Sequence, residues 1–347
     1  MKIIGIECLP VHSGWRKNFV FVRVETDAGI IGWGEAYSQY DRDRAVAAQV
    51  EELSRYLIGR DPFQIRHILQ IAFDDYAQRR GSLELYCATS GIEQALWDIV
   101  GKATKQPVYN LLGGPCRSKI RVYANGWSYK LQEPEDYARK AEAVIKRGFS
   151  AIKFDPVPGP WRTYVPKEHV RRAVKVLRAV RNAVGPDVDL LLDIHRRLAP
   201  MHAIDLADAL AEFEPYWLEE PCQSENVEAL ADVRHRSKIP VVTGEALYTR
   251  ADFRPIFRAR AADIINPDVS NCGGKDEAEH ETTILYRKGS PEDPMTNEEL
   301  MDKFRTLTKR LDGRRSEQIA QIVSHIEDCE NLAELSHLLM AEELIAA

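Results

Sequence analysis

Asp189-Leu190-Leu191-Leu192-Asp193, Tyr216-Trp217-Leu218-Glu219 and Pro240-Val241-Val242-Thr243-Gly244-Glu245 repeat one pattern, a short apolar run that ends on a carboxylate or just before one. Asp193, Glu219 and Glu245 follow one another at an interval of 26 residues. A short run of buried-type residues reads as a parallel strand covered on both faces, and a helix-period segment separates each pair. The interval is therefore one strand-loop-helix-loop unit. Acids at the carboxyl ends of three successive barrel strands point at one spot on the top face. Three hard oxygen ligands converging there suit Mg²⁺, with water and substrate oxygens completing an octahedron. A single strand-end acid would be read as a helix cap, but three in phase favour the metal.

Working outward, Ile120 to Asn125, Ala151-Ile152-Lys153-Phe154-Asp155 and Asp263 to Val269 supply further strands, with helices expected over Glu133 to Arg147 and Lys167 to Val184. Strand alternating with helix implies a parallel sheet of about six strands in an incomplete TIM-type (β/α) barrel. The alternation stops at Gly273-Gly274, so strands seven and eight are missing. Upstream, Ile3 to Leu9, Phe19 to Val24 and Ile30 to Glu35 are joined by short turns and read as an antiparallel meander. Helices are expected over Asp43 to Leu57, Pro62 to Gln78 and Tyr86 to Thr104, the last burying Ile92, Ala95, Leu96, Ile99 and Val100. Leu111-Leu112-Gly113-Gly114-Pro115 is a natural boundary. The expected organisation is an α+β capping domain (1–115), a partial barrel (116–274) and a mostly helical tail (275–347). Helices are expected in the tail over Asn297 to Leu311, Ser316 to Ile326 and Leu332 to Ile345, the first opened by a Thr296/Glu299 capping box.

The 347 residues are enough for one large α/β domain and a smaller one. A formal charge of −6 with no long basic stripe argues against a nucleic-acid partner. No apolar stretch reaches the length of a membrane span, and the N-terminus enters a strand directly rather than a signal peptide. Six cysteines without a C-x-x-C pair fit a reducing cytoplasm.

The order of these features, with Ile92-Glu93-Gln94-Ala95-Leu96-Trp97-Asp98 running on to Pro107, Leu111 and Gly113, resembles the mandelate racemase/muconate lactonizing enzyme branch of the enolase superfamily over residues 1–274. Lys153-Phe154-Asp155-Pro156 and Asp193-Ile194-His195 resemble the sugar-acid dehydratases of the galactonate dehydratase type. The resemblance implies Mg²⁺ on Asp193, Glu219 and Glu245, with His195 as the general acid. It implies Lys153 beside the substrate carboxylate, and Asp268 as the aspartate of a His-Asp base dyad. The histidine of that dyad has no counterpart, because His280, His325 and His337 stand in other contexts. The expected chemistry is removal of the proton α to a carboxylate and loss of water to a 2-keto-3-deoxy acid. A racemase or cycloisomerase using the same intermediate is the alternative, as is a truncated, fused remnant that keeps the metal site without turnover. Lys288 to Thr296 resembles the C-terminal end of the 2-methylcitrate dehydratase-like family, which suggests a chimera.

Arg196 and Arg197 are candidates to clamp a hydroxyl or distal carboxylate, Glu220 to orient neighbouring groups, and Asp155 and Asn266 to hydrogen-bond at the barrel mouth. Trp127 is expected in the core. Substrate choice is assigned to His12 to Asn18 and Phe73 to Gly81, which carry Arg16, Lys17, Arg79 and Arg80. The expected partner is a small acid sugar, bound by a cytoplasmic homo-oligomer.

Overall fold

A computed structural model describes residues 1–12, 14, 18–38, 42–76, 81–157, 165–274, 298, 301, 305, 313–324 and 338. The chain divides into two compact units, Met1–Thr283 and Ile284–Ala347.

The first unit opens with an antiparallel sheet, β1 (Ile3–His12), β2 (Asn18–Thr26) and β3 (Ile31–Ala36), in the order β1-β2-β3. Val20, Val22 and Val24 on β2 are fully buried, and their neighbours are less so, as period-two alternation requires. Helix α1 (Asp43–Leu57) inserts Val46, Val50, Leu53 and Leu57, while α2 (Ile65–Gln70) continues into a π-helical stretch over Ile71–Tyr76. Helix α3 (Leu83–Thr104), capped by Ser82 Oγ accepting from the Leu85 N–H, runs against β3 and buries all five residues expected of it. The contact is backbone on backbone. A Cβ on Gly32 would lie 2.0 Å from the Ala95 carbonyl oxygen, and one on Gly34 would lie 2.0 Å from that of Gly91. No side chain larger than hydrogen fits between strand and helix there.

After a short α4 (Val108–Leu111) and α5 (Pro134–Ile145), parallel alternation begins: β4 (Ala151–Phe154), α6 (Lys167–Val184), β5 (Asp189–Asp193), α7 (Pro200–Leu210), β6 (Trp217–Glu219), α8 (Val227–Arg236), β7 (Val241–Thr243), α9 (Thr249–Ala259) and β8 (Ile264–Ile265). The five strands pair in sequence order and all in parallel. The expected strand over Ile120 to Asn125 reduces to one parallel bridge, Ala124 with Ile152. Ile120 is 81% exposed and Val122 61%. A barrel would seat its last strand against this segment, and among the described residues nothing does. Among the described residues the sheet is an open, incomplete barrel.

Each side of the fold has its own core. One gathers Ile3, Val22, Val50, Leu53, Ile92 and Leu96, and the other Ile152, Phe154, Leu177, Leu190, Leu192, Leu218 and Val241. The segment after β8 is tied back to the meander side. Ser270 O accepts from the Tyr37 N–H at 2.8 Å, and the buried Ser90 Oγ accepts from the Gly273 N–H at 3.0 Å. Among the described residues no helix is long and apolar enough to cross a membrane.

In the second unit, α10 (Gly313–Ser324) falls where Ser316 to Ile326 was expected and buries Ile319 and Ala320. The helices expected over Asn297 to Leu311 and Leu332 to Ile345, the capping box, His280, His325, His337 and the stretch Lys288 to Thr296 lie outside the described residues or almost wholly so. So do Arg16, Lys17, Arg79 and Arg80.

Candidate metal and active site

Register and period-two alternation together assemble the site. Lys153 pairs with Leu191, Leu191 with Trp217, and Asp193 with Glu219. In a strand, residues i and i+2 share a face, so Lys153, Leu191, Asp193, Trp217 and Glu219 stand on one side of the sheet. Ile152, Phe154, Leu190, Leu192 and Leu218 stand on the other, packed in the second core. Neighbouring strands lie about 4.7–4.9 Å apart, which sets the two strand-end carboxylates side by side.

Glu245 joins them from just beyond β7. Its predecessor Gly244 has φ 142°, and a Cβ there would lie 2.9 Å from the Asn266 nitrogen. One carboxylate oxygen from each of Asp193, Glu219 and Glu245 lies within 4.8 Å of the others. Oxygens sharing one Mg²⁺ in adjacent octahedral positions lie about 3 Å apart, a difference that side-chain torsions can close. The donor set is all oxygen and triply acidic, and it fits a hard divalent cation.

Positive charge is interleaved with these acids. Lys153 Nζ lies 2.9 Å from Asp193 Oδ2 and donates to Glu219 Oε1 at 2.7 Å, and all three residues are buried. Burial works against the ammonium, but the Asp193 and Glu219 charges more than offset it, so Lys153 is held above the ordinary lysine range. Burial, with the Asp193 charge added, pushes Glu219 up to about 7, against the lowering influence of Lys153. Glu219 also accepts from Trp217 Nε1 at 3.1 Å and Asn266 Nδ2 at 2.8 Å. The Lys153 Nζ lies over the Tyr123 ring, 5.7 Å from its centroid.

Residues His195 and Arg196 both take left-handed backbone conformations, with φ of 55° and 60°. Such non-glycine conformations persist only where the surroundings impose them. Here the Ile194 N–H donates to Glu219 O at 2.9 Å, the Arg196 N–H to Glu220 O at 2.7 Å, and the His195 N–H to Asp193 Oδ1 at 3.2 Å. The imidazole Nδ1 lies 3.5 Å from Asp193 Oδ1 and 3.7 Å from Asp155 Oδ2. Arg196 and Arg197 do not reach out as a clamp. Arg196 is hydrogen-bonded to Glu245 and lies 3.6 Å from Glu220, and the buried Arg197 bonds Asp155 and the Ile194 carbonyl.

Glu220 is fully buried, accepts from Thr243 Oγ1 at 2.9 Å and the Gly244 N–H at 2.8 Å, and is raised to about 7 by burial. Trp127 packs edge-on against Phe154 and Tyr137, as a core residue does. Asp268 is engaged in its own turn: its Oδ1 accepts from the Ser270 N–H and hydroxyl, and its carbonyl accepts from the Asn271 and Cys272 N–H groups. Trp217 and Tyr123 were missed in the sequence reading. Trp217, two residues before Glu219 on one strand, was findable from the strand period alone. A cavity of about 300 Å³ opens beside the cluster, walled by Asp155, Asp193 and His195 and reaching Lys130 and Arg172.

Residues 8–113 match the family described as the mandelate racemase/muconate lactonizing enzyme N-terminal domain, and residues 136–284 match the enolase C-terminal domain-like family. The chain is 33% identical over 277 residues to the D-gluconate/D-galactonate dehydratase of Picrophilus torridus, covering 80% of this chain and 70% of that one. It is 36% identical over 275 residues to the D-galactonate dehydratase of Pectobacterium atrosepticum, covering 79% and 69%. Against the D-gluconate dehydratase of Thermoproteus tenax it is 35% identical over 264 residues, which is 75% of this chain but 52% of the relative's length. A crystal structure of an enolase-superfamily member from Salmonella Typhimurium superposes with a TM-score of 0.77 at 31% identity, covering 80% of this chain and 76% of that one. The chain belongs to the mandelate racemase/muconate lactonizing enzyme branch of the enolase superfamily.

Proposed function

We propose that this chain acts as a Mg²⁺-dependent acid-sugar dehydratase, with capping, barrel and tail segments at 1–115, 116–274 and 275–347. The observation that carries the reading is the convergence of Asp193, Glu219 and Glu245 oxygens within 4.8 Å, beside His195 and a charged Lys153. These three acids would hold the ion, which supplies a Lewis acid for the charge that develops on a substrate carboxylate.

The chain's own groups divide the remaining work. Lys153, fixed as an ammonium by two carboxylates, holds negative charge at the substrate's carboxylate end and cannot itself take a proton. Asp268 is assigned to the proton α to that carboxylate. His195, anchored through its backbone N–H to Asp193, protonates the hydroxyl leaving the next carbon. The substrate loses one hydrogen and one hydroxyl as water, and the resulting enol becomes a 2-keto-3-deoxy acid. Names of relatives that act on gluconate and galactonate support this class of substrate. A cytoplasmic homo-oligomer completes the reading.

A second reading, a metal-binding remnant without turnover, is favoured by two observations: the five-stranded open sheet, and the engagement of Asp268 in its own turn. Melting of the purified chain with and without Mg²⁺, beside a keto-acid assay on a panel of hexonates, separates the two. Mg²⁺-dependent stabilisation with keto-acid release is expected. Stabilisation without turnover supports the remnant, and neither response overturns both.

A further inference from the structure

We propose that the acid bound here carries a second anionic group, at the end away from the reacting carboxylate, and that Lys130 and Arg172 recognise it. The proposal rests on the dehydratase reading of the site and narrows its substrate class from monoanionic sugar acids to dianionic ones.

One cavity of about 300 Å³ is lined both by Asp155, Asp193 and His195 and by Lys130 and Arg172. That volume lies at the lower end of the range for small-molecule sites, about 300–1,000 Å³, and admits a six-carbon acid. The cations nearest the metal-site acids are already matched. Lys153 sits between Asp193 and Glu219, Arg196 between Glu220 and Glu245, and Arg197 against Asp155. Lys130 and Arg172 are not matched by any acid among the described residues. The bonds described for Arg172 go to the Gln132 carbonyl and the Tyr137 hydroxyl, which are neutral and leave the guanidinium charge uncompensated. Lys130 lies over the Tyr129 ring, its Nζ 5.2 Å from the centroid, in a backbone turn with φ 62°.

Two cations without an acid partner among the described residues, on the wall of a cavity that Asp193 and His195 also line, favour a ligand with a second negative charge. A primary hydroxyl at the distal end would leave both charges to water, whereas a carboxylate or a phosphate monoester would accept several N–H bonds from them. The chemistry shared by both candidates is an oxyanion with more than one acceptor oxygen.

The test is titration calorimetry on the full-length chain in Mg²⁺, with galactonate, galactarate and 6-phosphogalactonate as the three ligands. A preference of about tenfold or more for at least one dianionic acid over galactonate is expected, and it should shrink as salt is raised. Whichever of the two is favoured names the distal group. Lys130→Asn, a residue type that accepts the left-handed backbone, and Arg172→Met should each remove most of that preference. Lys130 is exposed and has no described hydrogen bond, so its variant reports even if Arg172→Met disturbs the Gln132 turn. Galactonate binding as tightly as both dianions, or a preference untouched by Lys130→Asn and Arg172→Met, would overturn the proposal and leave the dehydratase reading standing. If none of the three acids binds in a Mg²⁺-dependent way, the dehydratase reading falls and the proposal falls with it.

Discussion

The Gly244 backbone N–H donates to Oε1 of Glu220 over 2.8 Å, so a carboxylate outside the Asp193, Glu219 and Glu245 cluster fixes where Glu245 begins. The same glycine has φ 142° and leaves no room for a Cβ against Asn266. Gly244→Ala is expected to cost roughly 1–3 kcal/mol through backbone strain and to shift Glu245 away from Asp193 and Glu219. Mg²⁺-induced stabilisation should fall more than the metal-free melting temperature does. Differential scanning fluorimetry across a Mg²⁺ titration reads both.

Lys153 lies between two buried carboxylates, and its removal leaves them facing each other. Lys153→Met should destabilise the metal-free chain by about 3–5 kcal/mol, the usual cost of stripping one partner from a buried pair. A divalent cation would offset that repulsion, so the Mg²⁺-induced rise in Tm should be larger for the variant than for the parent. Chemical denaturation with and without Mg²⁺ checks both, and an unchanged rise would count against a metal at these acids.

Arg181, near the end of α6, donates to the carbonyls of Gly185, Val188, Phe213 and Glu214, joining the turn into β5 with the turn into β6. A lysine cannot reproduce that planar fork. Both Arg181→Lys and Arg181→Ala should lower stability, the alanine by roughly 2–3 kcal/mol. Urea denaturation gives the values, and a lysine variant as stable as the parent would sink the argument.

Cysteine labelling offers a test of the cores. Burial pushes the Cys87 and Cys222 thiols up to about 12 and Cys8 to about 11, whereas Cys116 is exposed. At pH 8 the thiolate fraction of the first two is on the order of 10⁻⁴. Brief alkylation mapped by mass spectrometry should mark Cys116 and leave Cys87 and Cys222 unmodified until denaturant is added.

Much of the barrel segment was legible because its signals are local. Lys167 to Val184 and Asp43 to Leu57 are helices with the boundaries expected, since their apolar spacing and flanking breakers agree. The three acids were legible because a strand period and a repeat length coincide. The reduction of Ile120 to Asn125 to a single bridge was not, because that strand depends on a partner far along the chain that its own residues do not encode. The inward turn of Arg196 and Arg197 was hidden for a related reason. Whether an arginine faces solvent or an acid depends on Glu220, Glu245 and Asp155, which reach it only through tertiary structure.

The ammonium lodged between Asp193 and Glu219 acts as a built-in counter-ion. On the proposed metal reading, assembly of the centre and its loading would be separate events, because the chain's own charge already holds Asp193 beside Glu219.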